Sequence, residues 1–597
     1  MHALRVTVAQ LNPIAGDVAA NTGALREAVA QAAAVGADIL LTPEKSVSGY
    51  PVEDLLGEVA FLEDVEQAVR QLSTEVPAGL LAAFGAPMRE DAVPRLGGAT
   101  IRGERLDARD REVFNVMALA TDGALVAAHS KAMLPTYDVF DDSRWVVPGS
   151  STEQSTFVVG GVRVAFAICE DIWTADVAEA AAARGAQVLL VASASPFHDG
   201  KVFERLARVR RVARDTGMTI VYANATGGQD EVVYDGGSFA VAPDGELLMA
   251  APLFQAGTFT VDLPVRPTDD PGVGEVHLGG DAGTIGRPAV LRVLTEWPEG
   301  EAQTYAALVL GLRDYVCNNG FGDRGVVLGL SGGLDSALAA VLAVDALGVD
   351  RVRGLGLPGP YSSEHSVADA RELAENLGID FRVVSIRQSY EAAIAELGDL
   401  LDGPGAAVAR ENVQARIRGG FLMDTANAQQ LMMLNTGNRS EAAVGYFTLG
   451  GDSSGGLAIL KDVLKTEAYR LADWRNAEAV KRGEVPPIPQ STLTKPPSAE
   501  LAPEQVDTDN LPPYPVLDAI LIGYLEQMKP ARAIADEVAA SFDLPLHQVE
   551  QTVLRVLAMT DRAEHKRRQV APGIQVSRRP FGRARRMPIT SGRTHHL

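Results

Sequence analysis

Val326-Val327-Leu328-Gly329-Leu330-Ser331-Gly332-Gly333-Leu334-Asp335-Ser336 is the stretch that decides how this chain folds. Its apolar first half predicts a buried strand, and the mostly apolar run 337–347 behind it predicts a helix. The glycines let backbone N–H groups approach phosphate oxygens, and a helix N-terminus adds the positive end of its dipole. Ser331 and Ser336 offer hydroxyl donors, and Asp335 offers a carboxylate for Mg²⁺. The stretch therefore predicts a strand, a loop and a helix that bind a nucleotide.

Other loop types share parts of this pattern. The Walker loop requires a lysine after the glycines, and none is present here. Gly329-Leu330-Ser331-Gly332-Gly333 also matches G-x-S-x-G of serine hydrolases, but that alternative leaves Asp335 and Ser336 without a role. No downstream histidine stands out as a catalytic partner either. A glycine turn without chemistry remains the simplest alternative for the motif alone.

The phrase S-G-G-x-D-S after a strand resembles the signature of the PP-loop ATP pyrophosphatases. That resemblance implies cleavage of ATP to AMP and pyrophosphate while a carbonyl oxygen is adenylated. The family contains several synthetases and tRNA-modifying enzymes. The motif by itself does not choose among them.

Length and composition narrow the class of protein. The 597 residues are too many for one hydrophobic core and predict two to four domains. Hydrophobic residues make up 46% and charged residues 22%, and no apolar run reaches the roughly 18 residues needed to span a bilayer. Residues 1–13 read as a strand rather than a signal peptide. These features predict a cytoplasmic protein without a membrane partner.

The charge distribution bears on possible partners. A net charge of -23 argues against nucleic acid, which requires a broad basic surface. From His565 to Leu597, however, there are nine Lys or Arg residues and no Asp or Glu. Such a stretch is often a solvated, flexible end. The alternative is a local site for a small molecule that carries phosphate.

Two patterns of alternation predict two α/β domains joined by a linker. Strand-like runs such as 162–168 and 188–192 alternate with alanine-rich helical segments through residues 1–263, which end in short strands punctuated by glycine. Residues 264–300 are rich in Pro, Gly and Asp and predict the linker. From 301 to 597 the alternation predicts a doubly wound parallel sheet, with the nucleotide at the carboxyl ends of its strands.

Three reactive side chains follow apolar strand-like runs in the first domain: Glu44, Lys131 and Cys169. A lone cysteine after a strand is most simply a packing residue. A catalytic cysteine needs a base and a positive group for the oxyanion. If the three strands are neighbours, their ends meet at one edge of a sheet and supply these groups. Cys317, the other cysteine, lies in a helical pattern and is expected to be structural; two cysteines fit a reducing compartment.

The surrounding motifs resemble those of the nitrilase, or carbon-nitrogen hydrolase, superfamily. They are Pro43-Glu44, Lys131-x-x-Leu134-Pro135-x-Tyr137 and Ile168-Cys169-Glu170-Asp171-Ile172-Trp173. The resemblance implies an α-β-β-α sandwich that hydrolyses an amide through a thioester. It implies that Glu44 is the general base, Lys131 the oxyanion cation and Cys169 the nucleophile. It also implies roles in glutamine binding for Tyr137, Ser195 and Lys201.

Motifs in the second domain resemble those of the glutamine-dependent NAD synthetases. They are Tyr361-Ser362-Ser363, Glu411-Asn412-x-Gln414-Ala415-Arg416-Ile417-Arg418-Gly419, Asn435-Thr436-Gly437-Asn438-x-Ser440-Glu441, Lys495-Pro496-Pro497-Ser498-Ala499-Glu500-Leu501 and His565-Lys566-Arg567-Arg568. The resemblance implies that ATP activates the carboxylate of nicotinic acid adenine dinucleotide (deamido-NAD). Ammonia from L-glutamine, released at the first site and passed to the second, then gives NAD⁺, with AMP, pyrophosphate and glutamate as further products.

The same resemblance assigns the ligand-binding residues of the second domain. Those for ATP are Gly329, Leu330, Ser331, Gly332, Gly333, Leu334, Asp335, Ser336, Thr436, Lys465 and Ser498. Those for deamido-NAD are Asn412, Arg416, Glu441 and Lys566. Asp335 and Glu441 are implied to hold Mg²⁺.

Four positions depart from the family pattern: Asp142 replaces a usual Glu, Gly359 a frequent Ser, Arg439 a common Lys, and Gly450 a Tyr. None of them removes a catalytic group. Two other hypotheses remain beside the synthetase, namely an amidase with a degenerate ATP domain and a tRNA-modifying protein. A homo-oligomer is expected by analogy with both domain families.

Overall fold

The computed structural model describes residues 3–92, 96–97, 112–151, 155–266, 276–278, 287 and 290–597, of which 96–97 and 276–278 are described as backbone. It divides into two compact units, Met1–Glu299 and Gly300–Leu597. The expected first domain ended at residue 263, before a linker. The described parts of that linker instead belong to the first unit, because residues 276–278 pair with a strand there and Arg287 binds Asp38 through two hydrogen bonds of 2.8 and 2.6 Å.

Among its described residues, the first unit contains two seven-stranded sheets, one two-stranded sheet and four α-helices. One sheet has the order β15-β1-β2-β3-β5-β6-β4 and the other β14-β13-β10-β9-β8-β7-β16. The strands are β1 (Ala3–Gln10), β2 (Ile39–Leu41), β3 (Leu81–Arg89), β4 (Leu96–Gly97), β5 (Val113–Thr121), β6 (Ala124–Ser130), β7 (Thr156–Val159), β8 (Val162–Ile168), β9 (Val188–Ser193), β10 (Thr219–Asn224), β11 (Thr226–Gln229), β12 (Val232–Asp235), β13 (Phe239–Val241), β14 (Leu247–Ala250), β15 (Gly257–Pro264) and β16 (Val276–Leu278). The helices are α1 (Val18–Ala34), α2 (Val59–Glu75), α3 (Asp176–Ala183) and α4 (Lys201–Thr216).

The two sheets of the first unit pack face to face with helices on both outer sides. Alternate residues of β1 and β8, such as Val6 and Phe166, share one buried apolar cluster between the sheets. The opposite faces of the sheets pack on α1 and α2 in one cluster and on α3 and α4 in another. Both faces of the strands are therefore buried, which explains why these strands read as continuous apolar runs. The predicted α-β-β-α sandwich is confirmed.

The second unit is built on a five-stranded parallel sheet with the order β19-β18-β17-β20-β21. The strands are β17 (Val326–Gly329), β18 (Val352–Gly356), β19 (Asp380–Val383), β20 (Met432–Asn435) and β21 (Leu457–Ala458). The chain runs outward from β17 in one direction and resumes on its other side at β20, so the strand order reverses beside β17. The carboxyl ends at such a reversal form a crevice. The predicted doubly wound sheet is confirmed.

Twelve α-helices accompany this sheet among the residues that the structure describes. They are α5 (Glu301–Asn318), α6 (Leu334–Leu347), α7 (Glu364–Leu377), α8 (Arg387–Leu397), α9 (Ala406–Gln429), α10 (Arg439–Val444), α11 (Lys465–Lys481), α12 (Gln490–Thr494), α13 (Tyr514–Leu521), α14 (Ala531–Phe542), α15 (Leu546–Arg562) and α16 (Glu564–Arg567). Helices α13 to α15 share an apolar cluster of their own. In the parts of the chain that are described, no helix is both long and apolar enough to cross a membrane.

The basic C-terminal stretch packs onto the second unit rather than extending as a free end. Asp462 accepts hydrogen bonds from the backbone N–H groups of Val576 and Ser577 at 2.9 and 2.7 Å. Near the end of the chain, His595 Nε2 lies 2.8 Å from a carboxylate oxygen of Asp561. Contacts with buried carboxylates therefore order a segment whose composition alone is typical of a flexible tail.

Candidate active sites

The three reactive residues of the first unit come together although their strands are not neighbours. Glu44 follows β2 and Lys131 follows β6 in one sheet, with β3 and β5 between these strands. Cys169 follows β8 in the facing sheet and begins a short 3-10 turn, 169–172, with a φ of 47°. The expected meeting at one edge of a single sheet is therefore replaced by convergence across the sandwich.

Glu44 is held by three donors from different elements. Its Oε1 accepts from Lys131 Nζ at 2.7 Å and from Asn115 Nδ2 at 2.7 Å, and its Oε2 accepts from the backbone N–H of Ala194 at 3.2 Å. The Glu44 residue is 1% exposed. Gly85 makes this position possible, because a Cβ there would lie 2.1 Å from the carbonyl oxygen of Pro43. Three donors fix the orientation of a base that must face the thiol.

Lys131 joins Glu44 to a second buried carboxylate. Its Nζ also donates to Asp142 Oδ2 at 2.7 Å. Although burial lowers the pKa of Lys131, the Asp142 and Glu44 carboxylates raise it well above its ordinary value. Asp142 in turn accepts from Lys45 Nζ at 3.2 Å and from Tyr50 Oη at 3.1 Å. The shorter acid at position 142 therefore still reaches the lysine.

Cys169 lies where its thiol is buried and faces both signs of charge. Burial, and then Glu44, raise the pKa of the thiol, whereas Lys131 and a hydrogen bond from Ser193 lower it. The register of β8 and β9 pairs Ile168 with Ala192, so Cys169 and Ser193 are the next residues side by side. The resting group is a neutral thiol next to a base, as nucleophilic catalysis by cysteine requires.

A buried carboxylate fixes the turn that carries Cys169. Asp171 Oδ2 accepts from the backbone N–H of Ile168 at 2.9 Å. Its Oδ1 accepts from the backbone N–H groups of Ala132 and Met133 at 3.1 and 2.8 Å. One side chain thus ties the cysteine turn to the loop that follows Lys131.

The three residues expected to bind glutamine lie around this turn. Tyr137 Oη donates to Glu170 Oε2 at 2.7 Å, and the nearby Lys201 acts electrostatically on the same carboxylate. Lys201 Nζ lies 4.6 Å above the ring of Trp173. Ser195 is buried, and its backbone N–H donates to Asn224 Oδ1 at 2.9 Å. Glutamine has an ammonium and a carboxylate, and the rim offers charges of both signs.

The second unit contains a cavity of about 330 Å³ at the carboxyl ends of its strands. Glu441 lines this cavity. Ten of the eleven residues expected to bind ATP also line it, namely Gly329, Leu330, Ser331, Gly333, Leu334, Asp335, Ser336, Thr436, Lys465 and Ser498. Gly332 stands behind the lining with a φ of +78°, and a Cβ there would lie 2.2 Å from the carbonyl oxygen of Ser366. That position requires glycine.

Hydrogen bonds within the 331–336 loop hold its backbone in a curve. Ser336 Oγ accepts from the backbone N–H of Ser331 at 3.2 Å and donates to the carbonyl oxygen of Gly333 at 3.0 Å. Ser331 Oγ accepts from the backbone N–H of Gly333 at 3.2 Å. Helix α6 begins at Leu334, so its N-terminal end borders the cavity, where an anion is favoured.

A cluster of one cation and two carboxylates lies at the mouth of this loop. Asp335 Oδ2 accepts from Lys465 Nζ and from Asn438 Nδ2, and Lys465 Nζ lies 3.8 Å from Glu441 Oε1. Asp335 Oδ1 is buried and has no hydrogen-bond partner among the described residues. Burial, and then the Asp335 charge, raise the pKa of Glu441 to about 8. Two ionised carboxylates would leave this cluster with a net charge of -1, so Glu441 holds a proton near neutral pH that a further cation would displace.

These carboxylates fit Mg²⁺, which proteins bind through one or two carboxylates together with substrate phosphates. The unpartnered oxygen of Asp335 is the observation that supports the fit. Within the described ranges, no group of three or more His, Cys, Asp or Glu side chains is placed to hold a metal ion alone. Phosphate and water oxygens would have to supply the remaining ligands.

Three of the residues expected to bind deamido-NAD lie around one loop, 445–449, rather than in the cavity lining. Lys566 Nζ donates to the carbonyl oxygens of Gly445 and Phe447, each at 2.8 Å. Arg416 Nε donates to the carbonyl oxygen of Leu449 at 3.1 Å, and Asn412 Oδ1 accepts from Thr448 Oγ1 at 2.6 Å. The structure thus brings these three together around the loop, and Glu441, in the helix directly before it, lines the cavity.

Ser498 reaches the cavity because its segment is fastened to the start of α7. Lys495 Nζ donates to Asp369 Oδ2 at 2.9 Å and to Ser366 Oγ at 3.2 Å. Glu500 accepts from Ser366 Oγ at 2.7 Å and from Ser363 Oγ at 2.9 Å. A cation and an anion five residues apart therefore hold the segment 495–501 near both of its ends.

Comparison with known proteins agrees with both sites. A carbon-nitrogen hydrolase family model matches residues 5–269, and an NAD synthase family model matches residues 304–570. Glutamine-dependent NAD(+) synthetases from Thermotoga maritima and Acinetobacter baylyi are 38% and 35% identical to the chain, with 99% of both sequences covered in each case. The chain belongs to the glutamine-dependent NAD(+) synthetase family.

Two solved structures of glutamine-dependent NAD(+) synthetases share the fold of this chain. The enzyme from Acinetobacter baumannii, determined in complex with adenosine diphosphate, is 33% identical with a TM-score of 0.71 and complete coverage of both chains. The one from Cytophaga hutchinsonii has a TM-score of 0.78 at 20% identity, covering 99% of this chain and 98% of that one, and shows the shared fold.

The other departures from the synthetase pattern have local structural consequences. Arg439 is buried and pairs with Glu526 and, at 3.4 Å, with Asp462, so it packs within the helical region. At Gly359, a Cβ would lie 2.8 Å from Gln414 Oε1, a contact that requires the neighbour to shift. Gly450 has a φ of +72°, a conformation that glycine adopts without strain.

Sequence reasoning missed several residues of these synthetase sites. Lys495 and Glu500 lie in a motif that was recognised, so their presence beside Ser498 was a usable signal. No sequence pattern marks Asn115 or Lys45. Their partners, Glu44 and Asp142, are distant in the chain and meet them only in the folded sandwich.

Proposed function

We propose that this chain forms NAD⁺ from deamido-NAD and ATP, using ammonia that it releases from L-glutamine. The first unit hydrolyses the glutamine side-chain amide. The second unit activates the pyridine carboxylate of deamido-NAD with ATP and joins it to ammonia. The products are NAD⁺, AMP, pyrophosphate and glutamate.

At the first site, Glu44 accepts the proton of the Cys169 thiol while the sulfur attacks the amide carbonyl of glutamine. The Lys131 ammonium stabilises the oxyanion that forms. The proton held by Glu44 goes to the leaving nitrogen, so ammonia departs and a thioester remains. Glu44 then takes a proton from water, which attacks the thioester and releases glutamate with the thiol restored. The net change is one amide and one water to one acid and one ammonia.

Glutamine is oriented by the residues around the Cys169 turn. We assign its contacts to Tyr137, Ser195 and Lys201. The rim charge supports this assignment, since Lys201 suits the α-carboxylate of the amino acid and Glu170, which Tyr137 holds, suits its α-ammonium.

At the second site, the carboxylate of deamido-NAD attacks the α-phosphorus of ATP, which releases pyrophosphate and leaves an acyl adenylate. Ammonia then attacks the acyl carbon, AMP departs, and one proton is released. The 329–336 loop, Thr436, Lys465 and Ser498 bind ATP or its pyrophosphate. Asn412, Arg416, Glu441 and Lys566 bind the dinucleotide. Lys465 places its ammonium beside Asp335, where phosphate charge accumulates.

Asp335 and Glu441 would hold Mg²⁺. When bound, the ion neutralises phosphate charge as pyrophosphate leaves. Burial, and then the neighbouring Asp335 charge, raise the pKa of Glu441, and a bound cation would offset both effects, which supports this assignment.

One observation supports the whole proposal. A single chain contains a buried cysteine that feels the charges of a hydrogen-bonded glutamate and lysine, and a glycine-turn cavity with a carboxylate oxygen that has no hydrogen-bond partner among the described residues. An amidase with a degenerate ATP domain would have no reason to keep the second set. A tRNA-modifying protein would have no reason to keep the first.

The test measures NAD⁺ formation from deamido-NAD, ATP and Mg²⁺ with either glutamine or ammonium chloride as the nitrogen source. We expect Cys169→Ala to lose the glutamine-driven reaction by a factor on the order of a thousand or more while it keeps the ammonia-driven one. Asp335→Ala is expected to lose both. A folded Cys169→Ala protein that loses both reactions equally would contradict the two-site function.

A further inference from the structure

Lys45 is a buried lysine next to the general base that no step of the amide hydrolysis uses. Its side chain is 2% exposed. Its backbone has a φ of 50°, in the left-handed region that lysine rarely adopts. Gly85 packs directly on this backbone, since a Cβ there would lie 2.6 Å from the Lys45 nitrogen. The fold therefore directs this ammonium inward at a cost in backbone strain.

The Lys45 ammonium contacts the acid that Lys131 also binds. Its Nζ lies 3.2 Å from Asp142 Oδ1 and 4.4 Å above the ring of Tyr50. Tyr50 Oη donates to that same oxygen at 3.1 Å, and Lys131 Nζ donates to the other oxygen, Asp142 Oδ2, at 2.7 Å. The carboxylate of Asp142 is thus held from two sides, with one lysine on each oxygen.

The four buried charges alternate in sign along a chain of contacts. Glu44 binds Lys131, Lys131 binds Asp142, and Asp142 binds Lys45. Two carboxylates and two ammonium groups sum to zero. Without Lys45 the set has a net charge of -1 in a site that excludes water, where an unbalanced charge is costly.

The other titratable groups facing this set are acids or neutral at rest. Tyr50 and Tyr234 feel the charges of Glu44 and Asp142, and Glu170 and Cys169 act on the same region. Ionisation of the Cys169 thiol adds a negative charge here. After burial of the thiol, the charges next to it therefore help to set how readily the thiolate forms.

We propose that Lys45 is a positioning residue for amide hydrolysis: its ammonium holds and neutralises the Asp142 carboxylate, so that the charge of Lys131 acts on Glu44 and Cys169. This inference rests on the proposed glutamine hydrolysis at Cys169. Lys45 acts through Asp142 and does not touch the reacting atoms. The pairing also assigns a role to the shorter acid at position 142, which is shared between two lysines.

The experiment measures the pH dependence of Cys169 alkylation by iodoacetamide in a Cys317→Ser background, where Cys169 is the remaining cysteine. We expect Lys45→Met to move the profile about one pH unit upward, because it removes a positive charge. Asp142→Asn is expected to move it downward, because it removes a negative charge. The double variant Lys45→Met/Asp142→Asn restores neutrality and is expected to return close to the parent profile.

Arg26→Met is the matched control, since Arg26 pairs with Glu75 on the surface of the same unit. It is expected to leave the alkylation profile in place. Shifts of the same sign in both single variants, or a double variant that stays displaced, would overturn the proposal in favour of a packing role. If Lys45→Met is recovered unfolded, a folded double variant supports the charge pairing and an unfolded one overturns it.

The alkylation profile separates this inference from the proposed function. Ammonia release from glutamine by the Cys317→Ser protein tests hydrolysis itself. Failure of that release, with opposite shifts still present, would contradict the proposed function and leave the pairing intact. Normal release with no opposite shifts would contradict the pairing and leave the proposed function intact.

Discussion

At the Cys169 site, Glu44, Lys131, Asp142 and Lys45 each lie within 3.2 Å of a partner of opposite charge. In the second unit, Asp335 and Glu441 share one lysine, and an oxygen of Asp335 is buried without a hydrogen-bond partner in the described chain. The first site balances its charges from protein groups alone. The second is short of positive charge until a ligand brings it.

This difference matches what each site must bind. The amide of glutamine is neutral, so a site that is already balanced and rigid loses nothing by being complete before the substrate arrives. ATP arrives with its own cation, so an apo site with surplus carboxylate gains binding energy when that cation enters. The first unit therefore balances its buried charges when it folds. The second unit leaves part of that balance to the ligand, which gains affinity by supplying it.

The largest expected difference comes from removing the shared lysine in each site. Lys131→Met leaves Glu44 and Asp142 facing each other in a closed interior, and we expect a loss of about 3 kcal/mol in the free energy of unfolding together with all glutamine-driven activity. Lys465→Met leaves Asp335 and Glu441 in the wall of a cavity, with side chains 17% and 20% exposed against 0% and 3% for Glu44 and Asp142, so we expect a smaller loss of about 2 kcal/mol, with both nitrogen sources affected. Urea unfolding of the two variants measures the contrast. Equal losses would erase the distinction between a balanced and an unbalanced site.

A second expected effect concerns acid and the first unit. His129 is buried with both ring nitrogens unpartnered among the described residues, and burial lowers its pKa from 6.5 to about 4. The unfolded chain binds the proton first, so stability is fully present above pH 6.5 and falls as pH drops from 6.5 toward 4. We expect this histidine to contribute a loss of about 3 kcal/mol over that interval.

His129→Leu is expected to flatten this acid dependence, as followed by thermal unfolding between pH 7 and pH 4. The control is His365→Leu, because the side chain of His365 is 82% exposed and stays in contact with water on folding. An unchanged acid slope in His129→Leu would show that other groups of the first unit cause it.

Local sequence patterns predicted much of the fold because the strands are buried on both faces. The run 162–168 matches strand β8, and 326–330 matches β17 with one residue more. Glycine turns and strand ends also predicted where Cys169 and the 331–336 loop lie. These features depend on residues close together in the chain, where pattern and structure agree.

Contacts between distant residues escaped prediction. Lys45 and Asp142 are 97 positions apart, and a strand pattern fixes neither the order of strands in a sheet nor which sheet faces which. The expected single edge for Glu44, Lys131 and Cys169 was wrong for that reason. The ordered C-terminal stretch is similar, since its partner carboxylates Asp462 and Asp561 lie far upstream.

The smallest expected effect concerns the hydrogen bonds that lead from Tyr222 through Ser193 to the Cys169 thiol. Tyr222 Oη donates to Ser193 Oγ at 2.8 Å, which leaves the Ser193 proton free to point at Cys169. Tyr222→Phe keeps the ring stacked on Phe239, with centroids 5.1 Å apart, and removes this donor alone. We expect glutamine-driven NAD⁺ formation to fall about fivefold, or about 1 kcal/mol, with the ammonia-driven rate unchanged. Because the Tyr222 hydroxyl acts on the sulfur through Ser193, Tyr222→Phe added to Ser193→Ala should cost nothing further. Additive losses would mean that Tyr222 acts on the site by another path than Ser193.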